Sequence, residues 1–309
     1  MRRLAPLTAT AALAAATLAA GCGGDSASGD ARLTAVATTT QAADLVRNVG
    51  GERVEVTGML RPGADPHDYE PRPSDARALA DAAVVVRSGG EVDEWLDDTL
   101  DDAGADAEPV TLSDSVDRIE TKDGLDPHWW QNPRNAVAAV TAIRDALLRA
   151  DPGGQTVYRR NAARYSERLR RLDNQIAACV DRVPPQKRRL VTTHDSLGYF
   201  AQRYRIEVVG AVIPSLSTQA QASARDVDRL VAQIREEGVE AVFPESPVNA
   251  KLERAIAREA GAQVGDVLYA DSLGKEGSEG ETYVGALAAD AEALARGMSG
   301  GSVRCTIAP

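Results

Sequence analysis

One long amphipathic helix constrains the fold of this chain more than any other feature of its sequence. Apolar side chains recur at alternating steps of four and three residues, and this spacing places them along one face of a helix. They are Tyr158, Ala162, Tyr165, Leu169, Leu172, Ile176, Cys179 and Val183. A helix over residues 155–182 would be about 40 Å long, and helix-breaking Pro and Gly residues bound it on both sides. A stiff helix of this length would join two parts of the chain and restrict them to small tilts.

Short β-rich runs alternate with helical stretches on both sides of this helix. The predicted strands are 33–38, 52–57, 82–87, 108–112, 189–193, 207–212, 239–243 and 263–267. The predicted helices are 41–49, 74–80, 92–103, 197–204, 224–237, 250–260 and 281–296. Such alternation is typical of parallel sheets that are covered by helices on both faces.

We therefore predict an α/β fold with two parallel-sheet (βα) lobes, joined by one long rigid interdomain helix. The predicted N-terminal domain covers residues 31–152 and the C-terminal domain covers residues 186–309. The linker helix between them covers residues 153–185.

The first residues have the composition of a bacterial export signal. A basic start, a short apolar run and small residues at its end describe a signal peptide, here residues 1–21. The run is shorter than the roughly 20 apolar residues of a transmembrane helix. It ends in Leu18-Ala19-Ala20-Gly21-Cys22, which resembles a lipoprotein cleavage site at which Cys22 would be lipidated. That pattern prefers leucine at the position of Ala19.

A Gly/Ser/Asp-rich segment at residues 22–30 is predicted to be a flexible tether. The protein is therefore expected outside the cytoplasm, anchored to the cell membrane by an N-terminal lipid. Without lipidation it would be secreted or periplasmic.

Two further cysteines remain, Cys179 and Cys305. In an extracytoplasmic protein such a pair is a candidate disulfide, which would tie the end of the long helix to the C-terminal tail. Two reduced structural thiols are the alternative.

The charge balance indicates the class of ligand. The formal net charge is −11, and nucleic acid is a poor partner for such a chain because phosphate recognition needs a basic surface. A cationic ligand or a neutral small molecule fits this balance better.

All three histidines of the chain lie in short, unusual settings. His67 and His128 each follow a proline directly, and His194 follows a predicted strand. Ligands of open α/β sheets bind beyond the carboxyl ends of strands. Imidazole suits zinc and other late divalent metals, so the three side chains are candidate metal ligands.

A closed tetrahedral zinc site needs a fourth ligand. Asp271 follows the last predicted strand, and Glu245 follows the strand before it. Either carboxylate could bind the metal or orient a histidine from behind, and spacing alone does not choose between them. Tyr69 and Asp195, which lie close to two of the histidines in sequence, are further candidates for this orienting role.

The three histidine contexts together resemble the zinc/manganese substrate-binding proteins of ABC importers, the metal-receptor group called cluster A-I or class III. The matching segments are Pro66-His67 followed by Tyr69-Glu70, Asp126-Pro127-His128-Trp129 with Asn132-Pro133, and Thr193-His194-Asp195-Ser196 with Gly198-Tyr199-Phe200. The resemblance covers essentially the whole mature chain.

This resemblance implies a ligand set and a set of partners. His67 and His128 would come from the N-terminal domain, and His194 and Asp271 from the C-terminal domain. A histidine at the third position accompanies zinc in that group, so Zn²⁺ is expected as the transported ligand, with Mn²⁺ possible. The expected partners are an ABC permease and its ATPase, with the receptor itself a monomer.

Three other functions are alternatives to this one. A zinc hydrolase would use Glu245 or Asp195 as a base, but the four ligands leave no coordination position for water. A serine hydrolase built on His194, Asp195 and Ser196 is excluded because adjacent residues do not form a triad. A metal-binding surface adhesin without a transport role stays open.

An acidic region over residues 91–126 either concentrates cations or is an ordinary solvated surface.

Overall fold

The computed structural model describes Met1 and residues 32–105 and 107–308. Residues Arg32–Pro309 form one compact unit. The expected signal peptide, Cys22 and the tether lie outside the described residues. Within the part of the chain that is described, no helix combines the length and the apolar character that a membrane span requires.

The first half of this unit contains a four-stranded parallel sheet. Its strands are β1 (Leu33–Ala37), β2 (Val54–Gly58), β3 (Val84–Arg87) and β4 (Val110–Thr111), in the order β2-β1-β3-β4. The helices of this half are α1 (Thr40–Gly50), α2 (Pro73–Ala80), α3 (Leu96–Ala103) and α4 (Pro133–Ala150). A short antiparallel hairpin, β5 (Glu120–Thr121) with β6 (Gly124–Leu125), precedes α4.

The second half repeats the parallel arrangement. Strand β7 (Arg189–His194) pairs with β8 (Glu207–Ile213), and β9 (Ala241–Val242) pairs with β10 (Gln263–Val264). A parallel bridge between Thr192 and Phe243 brings the two pairs together. The helices are α6 (Gly198–Tyr204), α7 (Ala224–Glu237), α8 (Lys251–Ala260) and α9 (Tyr283–Met298). The predicted α/β class with parallel strands and one long connecting helix is confirmed.

Helix α5 (Gln155–Val180) connects the halves. It is about 39 Å long at ~1.5 Å per residue. Before its first turn, Asp151 pairs at 3.0 Å with Arg53, which directly precedes β2. Beyond its last turn, the Arg188 side chain donates to the Val183 carbonyl at 2.9 Å, and Arg188 directly precedes β7. Both ends of α5 therefore lie at the amino ends of strands, and the loops that follow the strands lie at the opposite end of the molecule.

The largest apolar core runs through both halves, and each half also has a smaller cluster of its own. Tyr158 of α5, Trp129 of the first half, and Phe200, Phe243 and Tyr283 of the second half belong to one buried cluster. Because apolar packing at this density resists sliding, the shared core holds the two sheets in a nearly fixed relation.

A buried carboxylate on α5 also holds the two halves. Asp173 accepts from Arg134 of α4 at 2.9 Å and from Arg203 and Tyr204 of α6 at 2.6–3.0 Å. Burial alone would raise the pKa of Asp173, but the hydrogen bonds from Arg203 and Arg134 outweigh burial and lower it. This ion pair is therefore well satisfied, as a buried charge must be.

A disulfide joins Cys179 in the last turn of α5 to Cys305 in the C-terminal tail. Arg182 donates to the carbonyl of Arg304 at 2.9 Å. The tail is thereby fixed against the end of α5.

Two elements were not predicted from the sequence, α4 and the β5–β6 hairpin. Helix α4 begins with a capping Asn132, whose side chain accepts from the Arg134 N–H, and with Pro133 at its first position.

The predicted helix over residues 92–103 is shorter in the structure. The buried Asp93 carboxylate accepts the backbone N–H groups of Ser88 and Gly89, which keeps residues 91–93 in a separate turn and delays α3 until Leu96.

Candidate metal centre

Four side chains from four separate segments converge at the carboxyl ends of the strands. His67, His128, His194 and Asp271 each offer one ligand atom, and these atoms all lie within 4.8 Å of one another. The side chains are almost completely withdrawn from solvent, with exposed fractions of 0–1%. These are the four residues that the resemblance implied, two from each side of α5.

His67 lies in a turn that both halves of the protein fix. Residues Pro66–Asp68 form one helical turn, and the Asp65 carboxylate caps it by accepting the His67 N–H at 2.9 Å. The other oxygen of Asp65 accepts the Thr218 hydroxyl from the second half at 2.7 Å. The His67 backbone is therefore positioned before any ligand binds.

The His128 ring is oriented by a carboxylate two residues earlier in the chain. Asp126 Oδ1 accepts both the His128 backbone N–H at 2.9 Å and the ring Nδ1–H at 2.8 Å. A histidine that donates from Nδ1 presents a bare Nε2 to a metal.

His194 is the last residue of β7, and Glu245 orients its ring. Glu245 Oε2 accepts Nδ1–H at 2.6 Å, and Oε1 accepts the Thr193 N–H and the Ser196 hydroxyl, each at 3.1 Å. Burial opposes a charge on His194, but the carboxylates of Asp271 and Glu245 outweigh burial and raise the pKa of His194 to about 10. The His194 ring must therefore give up a proton before its Nε2 atom can bind a metal.

The Nε2 atoms of the three histidines and the Asp271 carboxylate lie close to one another. Asp271 lies 3.4 Å from His128 Nε2, 3.2 Å from His194 Nε2 and 3.8 Å from His67 Nε2. The Nε2 atoms of His194 and His128 are 3.3 Å apart. A tetrahedral zinc ion with bonds of about 2.0–2.1 Å separates its ligand atoms by roughly 3.3–3.4 Å. The cluster therefore has nearly the dimensions of a tetrahedral site.

Two buried polar atoms of this cluster have no hydrogen-bond partner, His67 Nε2 and Asp271 Oδ1. An unpaired buried polar atom is costly and calls for a partner such as an ion. A divalent cation at the centre of the cluster would satisfy both atoms at once. The donor set of three imidazole nitrogens and one carboxylate oxygen suits zinc.

His67 also has a carboxylate partner, Glu91, which directly follows Gly89 and Gly90. Glu91 lies 3.4 Å from His67 Nδ1, and its side chain is 39% exposed. The hydrogen bond with His67 outweighs partial burial and lowers the pKa of Glu91. Each of the three histidines thus has its own carboxylate on Nδ1, but the Glu91 contact is the longest and the only solvent-exposed one among the described residues.

The sequence predicts Glu245 in this orienting role, and sequence analysis misses Asp126 and Glu91. The Asp-Pro-His spacing was a usable signal for Asp126, because a carboxylate two residues before a turn accepts its backbone N–H. Glu91 carried no comparable signal, since 24 residues separate it from His67.

The other two candidates have different surroundings. The Tyr69 hydroxyl donates to Asp75 at 2.7 Å, and burial together with this carboxylate raises the pKa of Tyr69 to about 12. Its ring lies 4.8 Å from that of Trp95. Asp195 lines a small, mainly apolar cavity beneath the β5–β6 hairpin, and burial raises its pKa. Tyr69 and Asp195 therefore lie beside the four-residue cluster and are not part of it.

The loop that carries Asp271 is tied to the first half by hydrogen bonds. The Trp130 indole and the Gln131 amide donate to the Ala270 carbonyl at 2.8 Å and 2.7 Å. The Gly63 N–H donates to the Leu273 carbonyl at 3.0 Å. The candidate ligands from the two halves are therefore held in register by direct contacts next to them.

Comparison with known proteins gives a consistent picture. The family model described as zinc-uptake complex component A, periplasmic (ZnuA), matches residues 35–297. The chain is 33% identical over 290 residues to the manganese-binding lipoprotein MntA of Halalkalibacterium halodurans, covering 92% of this chain and 95% of that protein. It is 29% identical over 268 residues to the iron-binding protein YfeA of Yersinia pestis, covering 85% of each.

Solved structures share the fold. The periplasmic zinc-binding protein TroA from Treponema pallidum has a TM-score of 0.81 at 26% identity, over 87% of this chain and 99% of that one. The chain belongs to the ZnuA family, whose family model describes the periplasmic component A of zinc-uptake complexes.

Proposed function

We propose that this protein is an extracytoplasmic substrate-binding protein that captures Zn²⁺ between its two halves and delivers it to an ABC permease and its ATPase. The observation that carries the proposal is the buried cluster of His67, His128, His194 and Asp271, whose ligand atoms lie within 4.8 Å of one another. Zinc is the transported substrate here, and the protein has no catalytic role because four protein ligands complete a tetrahedral shell.

Zinc is preferred over manganese on the chemistry of the donors. Three neutral imidazoles and one carboxylate suit zinc, whereas manganese is better served by more oxygen ligands. The names of the relatives do not decide this point, since they include manganese-binding and iron-binding proteins. Carboxylates on the Nδ1 atoms of His128 and His194 make those rings stronger donors, which supports the same assignment.

The site explains how binding and closure are coupled. We propose that the N-terminal part (31–152) and the C-terminal part (186–309) tilt slightly about the linker helix (153–185), because each supplies two ligands. The shared core and Asp173 keep this movement small. Release to a permease then requires only a few ligand bonds to open, rather than a wide separation of the halves.

We further propose that Cys22 is lipidated and anchors a monomeric receptor to the outer face of the cell membrane. The relatives named as lipoproteins support this location. Mass spectrometry of the protein from cell membranes tests it, because a diacylglyceryl group on the N-terminal cysteine is diagnostic. A mature protein that begins at another residue, without lipid, would contradict it.

The decisive experiment is a calorimetric titration of the metal-free protein with Zn²⁺ and with Mn²⁺. We expect one tightly bound Zn²⁺ per chain, and a large loss of affinity in His67→Ala, His128→Ala and His194→Ala. Asp195→Asn is the matched control, since that carboxylate lies next to the site without joining the cluster. Zinc affinity unchanged by all three histidine substitutions would refute the site.

A zinc-limited growth test separates transport from the adhesin alternative. A deletion strain should grow poorly without added zinc and recover with the wild-type gene but not with the His194→Ala variant. Normal zinc uptake in the deletion strain would favour a non-transport role.

A further inference from the structure

Helix α5 carries a row of arginines that the metal site does not use. Arg160, Arg164, Arg168 and Arg171 follow one another at helical spacing and therefore share one side of α5. Three of them are exposed and Arg168 is half-buried. Among the described residues, none of the four forms an ion pair. We call this row, which spans about 16 Å, the arginine ridge.

The ridge is a row of positive charge on an acidic molecule. The chain has a formal net charge of −11, and several arginines elsewhere on its helices are paired, such as Arg170 with Glu167 and Arg229 with Asp226. Arg168 contributes an attraction to the buried Asp44 carboxylate, but Asp44 is covered by the hydrogen bond from Tyr165. Three exposed guanidinium groups and the half-buried Arg168 therefore form a positive strip along one side of α5.

The ridge and the incoming chain lie at the same end of the molecule. The chain reaches the described unit at Arg32, directly before β1, and Leu33 of β1 is paired with Val54 at the start of β2. Arg53, directly before Val54, pairs with Asp151 just before α5. The metal cluster lies at the other end, because its histidines follow the carboxyl ends of strands.

We propose that the arginine ridge binds anionic phospholipid headgroups and holds the receptor with its metal site turned away from the membrane. This inference rests on the lipid anchor at Cys22 proposed above. The ten residues 22–31 span at most about 35 Å when fully extended, so the end of the molecule that carries the ridge stays close to the bilayer. Guanidinium groups bind phosphates in a two-pronged geometry.

The orientation has a functional consequence. An acidic domain is repelled by an anionic membrane unless a basic surface faces it, and such attraction acts only within about 10 Å of the membrane. The ridge would present the metal site to the surroundings for capture. Because each contact is weak and exposed, the domain can leave the membrane and turn to meet a permease.

The first test measures binding to vesicles without the lipid anchor. The mature chain with Cys22→Ser is sedimented with vesicles of phosphatidylglycerol and phosphatidylcholine, or of phosphatidylcholine alone. We expect binding only to the anionic vesicles, and a decrease of at least about tenfold when the four ridge residues are changed to Gln. The same four changed to Lys should retain most of the binding.

A matched control keeps the net charge change constant. Arg225, Arg229, Arg254 and Arg258 are exposed on α7 and α8, and changing these four to Gln should leave vesicle binding within about twofold, because they lie outside the ridge. Equal loss in both fourfold Gln variants, or equal binding to neutral vesicles, would overturn the proposal. Zinc titration of every variant checks folding, and a ridge variant that binds zinc but not vesicles separates this proposal from the proposed function.

The second test measures orientation in the lipidated protein. All three tryptophans of the chain, Trp95, Trp129 and Trp130, lie in segments that follow the carboxyl ends of strands. Energy transfer from them to a dansyl-labelled headgroup should be low in wild type and higher in the fourfold Gln variant, whose domain is no longer held. Transfer that is high in wild type, or unchanged in the variant, would refute the orientation.

Discussion

The three carboxylates behind the histidines should differ in their effect on zinc affinity, and the difference can be worked out from their contacts. The change we consider first is Glu245→Gln. Glu245 Oε1 accepts the Thr193 N–H and the Ser196 hydroxyl, and a glutamine carbonyl oxygen would keep both bonds. Its NH₂ group would then face His194 Nδ1, so that Nδ1 must accept and the ring proton must move to Nε2, the atom that faces the metal.

Asp126→Asn should be milder for a geometric reason. One oxygen, Oδ1, accepts both the backbone N–H and Nδ1–H of His128, so an asparagine carbonyl can preserve the tautomer and loses only the charge. Substitutions behind metal ligands cost about 10–100-fold in affinity. We expect Glu245→Gln near the upper value, about 2.7 kcal/mol, and Asp126→Asn near the lower value, about 1.4 kcal/mol.

Glu91→Gln should have the smallest effect, below about fivefold, because Glu91 lies 3.4 Å from His67 and is 39% exposed. Competition of each variant with a fluorescent zinc chelator at pH 7.5 measures the three dissociation constants. Thermal unfolding of the metal-free variants separates lost affinity from lost folding. A loss for Glu91→Gln as large as that for Glu245→Gln would refute the reasoning from burial and tautomer.

Three further outcomes are expected. Because the pKa of His194 is raised to about 10 in the metal-free protein, that ring is protonated at pH 7.5. Zinc binding there should release about one proton and weaken about tenfold per pH unit on acidification. Calorimetry in buffers of different ionisation enthalpy measures this, and no proton release would contradict it. His194→Glu should shift the preference from zinc toward manganese by exchanging a nitrogen for an oxygen donor. The control is His194→Gln, and a competition titration that gives the same ratio of zinc to manganese affinity for both variants would count against this prediction. Replacing Cys179 and Cys305 by serine opens a disulfide that spans 126 positions and should lower the free energy of unfolding by up to about 5 kcal/mol. Denaturant unfolding measures this loss, and zinc affinity should stay within about threefold because the bond is remote from the site.

The fold followed from the sequence wherever a periodic pattern was long. The apolar stripe from Tyr158 to Val183 predicted α5 within two residues of its observed end, and α7 was predicted with its observed bounds. The stripe succeeded because 3.6-residue periodicity over seven turns has no other structural solution. The short strands β9 and β10 were predicted too long, since only two residues of each enter a ladder.

The candidate ligands could be predicted from the sequence, but not all of the carboxylates behind them. The three histidines are conspicuous because each follows a proline or a strand, whereas Asp271 was chosen over Glu245 only by the resemblance. The structure brings the four side chains together, and their role as ligands stays a prediction that metal titration tests. Glu91 could not be found, because its position behind His67 depends on where the turn after Gly90 places it. Local sequence does not specify a contact between residues 24 positions apart on different loops.

The apolar cluster shared by the two sheets limits how a protein of this kind can be rebuilt. Leu169 and Leu172 of α5 and Leu294 of α9 belong to the same cluster as Val86 and Phe243, so the largest part of the interior is shared, although each half also has a smaller cluster of its own. If one half were replaced by the corresponding half of a relative, apolar side chains that do not fit one another would meet in the shared cluster. New metal preferences are therefore more accessible through substitutions in the ligand-bearing loops than through recombination of halves.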